Sequence, residues 1–195
     1  MKPILKLLLV SISCILPLAA QEAPKVADPF EDGMRQAFTA YKKGDNEAVT
    51  AKLRELLKLM DEKGAAKMGG LLPDALGTWK GESLKHDDAA TPGSGISISR
   101  TYVSGEHQIT IKIVKDSPLV SQLLPLLLNE DLLRMANRKT HRVSGEMAVM
   151  DGEEKLQLVV DQRIYVELEG NSGTAEADLV ALAEKLDLKS LAKIK

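Results

Sequence analysis

Few residues in this chain are equipped for chemistry. The tightest polar cluster is His86-Asp87-Asp88, an imidazole beside two carboxylates, side chains that can ligate a metal ion. Residues 86–95 are rich in Thr, Pro, Gly and Ser and read as an exposed loop, in which such charges are simply solvated. His107 sits where a strand begins and by alternation falls on the side of Ile109; His141 follows Arg138-Lys139-Thr140 and reads as exposed. The nucleophile motif GxSxG, the phosphate loops GxGxxG and GxxxxGK[ST] and the zinc motif HExxH are missing. The acid pairs Glu153-Glu154 and Asp87-Asp88 are side by side and cannot straddle a glycosidic bond. The expectation is a chain with no catalytic residues, no metal and no cofactor.

The first twenty residues read as a targeting signal. MKPILK is a short basic start, and LLLVSISCILPLAA is an apolar run ending in two alanines, shorter than a spanning helix requires. Cleavage after Ala20 leaves Gln21 first and places the mature protein in the periplasm or outside the cell. A lipoprotein signal with Cys14 as the lipidated residue is the rival reading. Cys14 is the only cysteine, so a chain cleaved at Ala20 has no thiol and no disulfide. Without Lys2 and Lys6 the balance is 24 basic against 28 acidic residues. Such a chain offers no basic stripe for nucleic acid, and its scattered aromatics make no stacking platform.

The remaining pattern must supply elements. Asp28 caps and Pro29 opens a helix with Phe30, Met34, Ala37, Phe38 and Tyr41 at helical spacing. A turn at 42–46 leads to a second helix with Leu53, Leu56, Leu57 and Met60. Residues 64–77 read as a small-residue linker. Isoleucines at every second place, Ile96 and Ile98, then Ile109, Ile111 and Ile113, mark two strands joined near Ser104-Gly105-Glu106. A strand led by Trp79 precedes them. Strands at 141–145, 146–150, 155–161 and 163–170 follow, with a turn at Asp151-Gly152 between the middle pair. A final helix is expected near Thr174, with Thr174 as its cap. The chain thus divides into a signal (1–20), a helical hairpin (21–63) and an α+β domain (64–195). That domain is an antiparallel sheet of about six or seven strands, covered on one face by helices.

The segment PLVSQLLPLLL is unusual: seven of the ten residues from Leu119 to Leu128 are Leu or Val. Pro125 must kink or end its helix. It either covers the sheet or forms a hydrophobic lip for a partner, a lipid or a second copy of the chain. Leu119, Val120, Leu123, Leu124 and Leu127, with Phe38 and Tyr41 of the hairpin, are the candidate surface. Phe38, Tyr41, Leu53 and Leu56 suggest that the hairpin lies over this segment as a lid.

The run AFTAYKKGDNEAVTAKLRELL resembles one tetratricopeptide-type hairpin. The features Leu72-Pro73…Trp79, Ser99-Arg100-Thr101-Tyr102, Asp116-Ser117-Pro118 and Asp178-Leu179…Ala183-Glu184-Lys185-Leu186-Asp187 resemble those of an uncharacterised family of secreted bacterial envelope proteins. At fold level the order is similar to PsbP-like sheet domains. These resemblances imply structure and carry no catalytic residue. Two functions remain as expectations: a non-catalytic interaction or assembly module of the envelope, and a periplasmic carrier or sensor of an apolar ligand.

Overall fold

The structure, a computed structural model, describes residues 28–87 and 95–194; the expected signal, Cys14 and Asp88 lie outside them. Helix α1 (Pro29–Lys42) begins as its sequence predicts, with Asp28 accepting from the Phe30 amide at 2.8 Å and Pro29 in the first turn. After a turn at residues 43–45, Asp45 caps helix α2 (Asn46–Gly69) by accepting from the Ala48 amide. The two helices meet through small residues, with Gly33 and Ala37 buried near Leu56. A Cβ on Gly33 would stand 2.6 Å from Leu56 Cδ2, so glycine sets how closely the helices approach.

Helix α2 does not stop at the expected linker. It runs unbroken across residues 63 and 64, and its last turns bury Ala65 and Met68 in the main core with Leu72, Ile98 and Tyr102. Their spacing of three, with Leu72 four further on, is helical, and it outweighs the glycines around them.

The strands are β1 (Ala75–Leu76), β2 (Trp79–Gly81), β3 (Lys85–Asp87), β4 (Ile96–Ser104), β5 (His107–Lys115), β6 (Thr140–Val143), β7 (Glu146–Met150), β8 (Lys155–Val160) and β9 (Ile164–Gly170). They form one antiparallel sheet in the order β1-β2-β4-β5-β9-β8-β7-β6, with β3 beside β2 along the same edge of β4. The α+β expectation holds, with two more short strands than expected: the Trp79 segment breaks into β2 and β3, and β1 forms within the expected linker. Tight turns fall where the chain tolerates positive φ: Gly105 between β4 and β5, Ser144-Gly145 between β6 and β7, and Asp161-Gln162 between β8 and β9. The turn expected at Asp151-Gly152 is instead a longer loop spanning residues 151–154.

Alternation divides the sheet into two faces. One face carries Ile98, Tyr102, Ile109, Ile111, Ile113, Leu156, Leu158, Val160, Ile164, Val166 and Leu168, all buried. The end of α2 and helices α5 (Glu176–Ala183) and α6 (Leu188–Ala192) cover it, through Leu179, Leu182, Leu188 and Leu191. The other face is split. Over β4 and β5 it is half-exposed and polar, with Thr101 and Thr110 hydroxyls 3.0 Å apart. Over β7, β8 and β9 it carries a second core of Val149, Val159 and Tyr165 under helices α3 (Pro118–Leu127) and α4 (Glu130–Met135). Helices therefore cover both faces, where cover on one face was expected.

The Ser99-Arg100-Thr101-Tyr102 pattern has a structural role. Both Arg100 and Tyr102 point to the main-core face, where the Tyr102 hydroxyl donates to the Pro73 carbonyl at 2.8 Å and the Arg100 guanidinium pairs with Asp74. Gly81 lies against both, since a Cβ there would stand 2.8 Å from Arg100 Cδ. The Leu72-Pro73…Trp79 lead-in is thereby tied down on β4. Thr174 does not cap α5. It is buried, its hydroxyl donates to Asn171 Oδ1 at 2.8 Å, and α5 starts after Ala175 with no side-chain cap.

Candidate interaction surface

The structure keeps the three histidines apart. His86 lies exposed on the edge strand β3, opposite Ile98 in register, and His107 is exposed at the start of β5. His141 is on β6, at the far edge of the sheet. Among the described residues no group of three or more His, Cys, Asp or Glu could hold a metal ion. His141 is half-buried, contrary to expectation, because its Nε2 lies 2.8 Å from Glu176 Oε1 while Lys139 Nζ donates to Glu176 Oε2 at 2.8 Å. This clamp ties β6 to the start of α5.

The hydrogen bonds from Lys139 and then His141 hold the Glu176 carboxyl below its usual value of 4.5. A depressed carboxyl stabilises the fold above its unfolded pKa, and that contribution is lost as the pH falls through the folded pKa. Glu176→Gln is therefore expected to melt slightly lower than the parent chain at pH 7, the gap closing below about pH 4.5. A gap that is constant down to pH 3 contradicts the clamp; thermal melts across this range decide it.

A pocket of about 320 Å³ opens between α4 and β6, near Arg134, Arg138 and Arg142. Its cations are already matched: Arg134 to Asp131, Arg138 to Asp151 and Arg142 to Glu130. Each of its arginines thus has a carboxylate neighbour.

The seven candidate surface residues separate. Val120 and Leu127 are buried in the second core, and Leu123 and Leu124 pack half-buried at its margin. Leu119 remains exposed, in a row with Leu126, Leu128, Leu132 and Met135 along α3 and α4. Pro125 does not end α3, which continues to Leu127. Phe38 and Tyr41 are exposed and far from this row, because α2 enters the main core while α3 lies on the opposite face of the sheet. The expected lid is not formed. The hairpin spends Gly33, Ala37 and Leu56 on its own contact and leaves its larger side chains in water.

Those side chains fall into two stripes. Met34, Phe38 and Tyr41 on α1, and Leu53, Leu57 and Met60 on α2, share the spacing i, i+4, i+7 and are 45–66% exposed. Each stripe stands about 100° onward from the contact line between the helices. In an antiparallel pair direction and rotation reverse together, so both stripes point to the same side. Residues one step back from the contact line, Asp32, Gln36 and Glu55, line a groove on the opposite side with Lys52, Glu62 and the apolar Leu56 and Leu59. Lys42 lies over the Phe38 ring, 4.7 Å from its centroid. The hairpin therefore carries one apolar face and one on which charged and apolar side chains mix. The apolar one needs the structure to be seen, because Leu53 and Leu56 read alike in the sequence. What separates them is the pair Gly33 and Ala37, small residues four apart that draw in the second helix.

No family model, curated protein or solved structure matches this chain. The function therefore rests on its own surface. No helix among the described residues is long and apolar enough to cross a membrane.

Proposed function

We propose that the chain is a non-catalytic envelope protein, exported and freed of its first twenty residues, that works as a protein-interaction or assembly module. The apolar face of the hairpin is its docking surface. The observation that carries this reading is the pair of exposed stripes, six large side chains on one face of a unit held to the sheet by the far end of α2. Scattered exposed leucines need no explanation, but a contiguous patch of this kind marks an interaction site. The resemblance to secreted envelope proteins points the same way.

A photo-reactive phenylalanine analogue in place of Phe38 tests it in the cell that makes the protein. Adducts are expected at Phe38 and at Leu57 and not at Gln36 or Glu55. Equal labelling on both faces, or none, defeats the reading. The exposed row from Leu119 to Met135 supports a second reading, a carrier of an apolar ligand; lipid adducts at Leu126 with none at Phe38 would favour it.

A further inference from the structure

We propose that Met34 and Met60 are oxidation sites, and that their conversion to sulfoxide switches off docking at the hairpin face; this rests on the docking reading above. The chain from Gln21 onward has no cysteine, so its methionines carry all of its sulfur. Of the seven methionines, Met1 belongs to the expected signal and the others divide by exposure. Met68 and Met150 are buried, and Met147 is half-buried. Met34, Met60 and Met135 are 46%, 50% and 84% exposed. Two of these three stand in the apolar face, and each is the last member of its stripe counted from the turn at 43–45. The end of the face remote from the turn thus carries thioethers, while Phe38 and Tyr41 make the turn end aromatic.

The reaction needs a two-electron oxygen donor, a peroxide or a hypohalous acid, and access to the sulfur. With hydrogen peroxide the sulfur lone pair attacks one peroxide oxygen, the O–O bond breaks, an S–O bond forms, and the second oxygen leaves as water. Sulfur is oxidised by two electrons and the peroxide is reduced by the same two. The product is polar and chiral where the thioether was flexible and apolar. On the free chain the new oxygens stand in water, so the fold tolerates them. In a docked complex each must give up that water. Burying a polar group without a partner weakens docking about tenfold per sulfoxide. Phe38, Tyr41, Leu53 and Leu57 carry no sulfur, so the change is confined to one end of the face. Sulfoxide reductases reverse it, which makes the device resettable. Linkage runs the other way too: a docked partner shields Met34 and Met60 but not Met135, which lies on α4 over the other face of the sheet.

Hydrogen peroxide acting on the chain from Gln21 onward, followed by peptide mass spectrometry, should oxidise Met34, Met60 and Met135 at least about tenfold faster than Met68 and Met150. Circular dichroism and melting temperature should not change. The photo-reactive analogue at position 38 then reads docking in an extract of the cell envelope. Chain oxidised beforehand should need at least about tenfold more protein for the same adduct yield. Met34→Leu combined with Met60→Leu should abolish this dependence on peroxide, whatever adduct yield it starts from, and Met135→Leu should not. Oxidation as fast at Met68 and Met150, or a lower melting temperature afterwards, overturns the sites, because sulfur then reacts through unfolding. Adducts insensitive to peroxide in the parent chain, or equally sensitive in the double leucine variant, overturn the switch and leave the docking reading intact. An untreated chain that gives no adducts ends the docking reading and the switch together, while the rates on the free chain still decide the sites.

Discussion

Tyr102→Ala should lower the stability of the chain by about 3–5 kcal/mol, the cost of removing a large ring from a packed core. Tyr102 is fully buried on β4, and its hydroxyl holds the Pro73 carbonyl, so its ring and its oxygen do different work. Tyr102→Phe keeps the ring and loses the hydrogen bond, and should cost about 0.5–1.5 kcal/mol. Urea unfolding of both variants separates the two contributions. A cost near 1 kcal/mol for alanine as well would mean that the ring anchors nothing, whatever its burial. There is an alkaline counterpart. Burial pushes the Tyr102 phenol up to about 12, with Arg100 pulling the other way. A group whose folded pKa is raised stabilises the fold fully below its unfolded pKa. The contribution of Tyr102 should therefore hold to about pH 10 and fade as the pH rises toward 12.

Leu127→Ala and Leu133→Ala should each cost about 2–4 kcal/mol, while Leu119→Ala and Leu126→Ala should stay within about 0.5 kcal/mol. The first pair is buried in the second core and the second pair stands in water, although all four lie within the fifteen residues 119–133 of Leu-rich sequence. Equal costs across the four would mean that α3 is either wholly buried or wholly detached. The same urea titrations, read as shifts in midpoint at constant slope, give the answer.

Much of the sheet could be read directly from alternation. Ile109, Ile111 and Ile113 each land on the main-core face, as their spacing demands, and the strands of the second half fall within two residues of expectation. The cover on the second face was missed although it left a trace. Residues 148–150, 158–160 and 164–166 are unbroken apolar triplets, and a strand that is apolar at consecutive places is buried on both sides. The end of α2 was hidden by Gly64, Gly69 and Gly70, whose low helix propensity is overridden by the burial of Ala65 and Met68. The apolar face of the hairpin lies deeper still. Phe38 and Tyr41 were expected to lie against residues 118–128 and stand exposed instead, and their neighbours in the face, Leu53, Leu57 and Met60, depend on where α1 touches α2. That contact is a tertiary fact, set by the absence of a side chain at Gly33.

The rims of the sheet bear on strand addition between copies of the chain. Its outermost strands are stubs: β1 has two residues, β3 three and β6 four. The long neighbour β4 is shielded by two short pieces with residues 82–84 between them, and β6 is flanked by Lys139 and carries Arg142 pointing to solvent. Short, charged rims are poor templates for strand addition, the route by which open sheets template amyloid. Contact with other molecules is thereby steered away from backbone pairing, which accepts almost any extended chain, and toward packing of helical side chains, which accepts only a matching shape. Rims of this kind separate association through side chains from precipitation through backbone pairing.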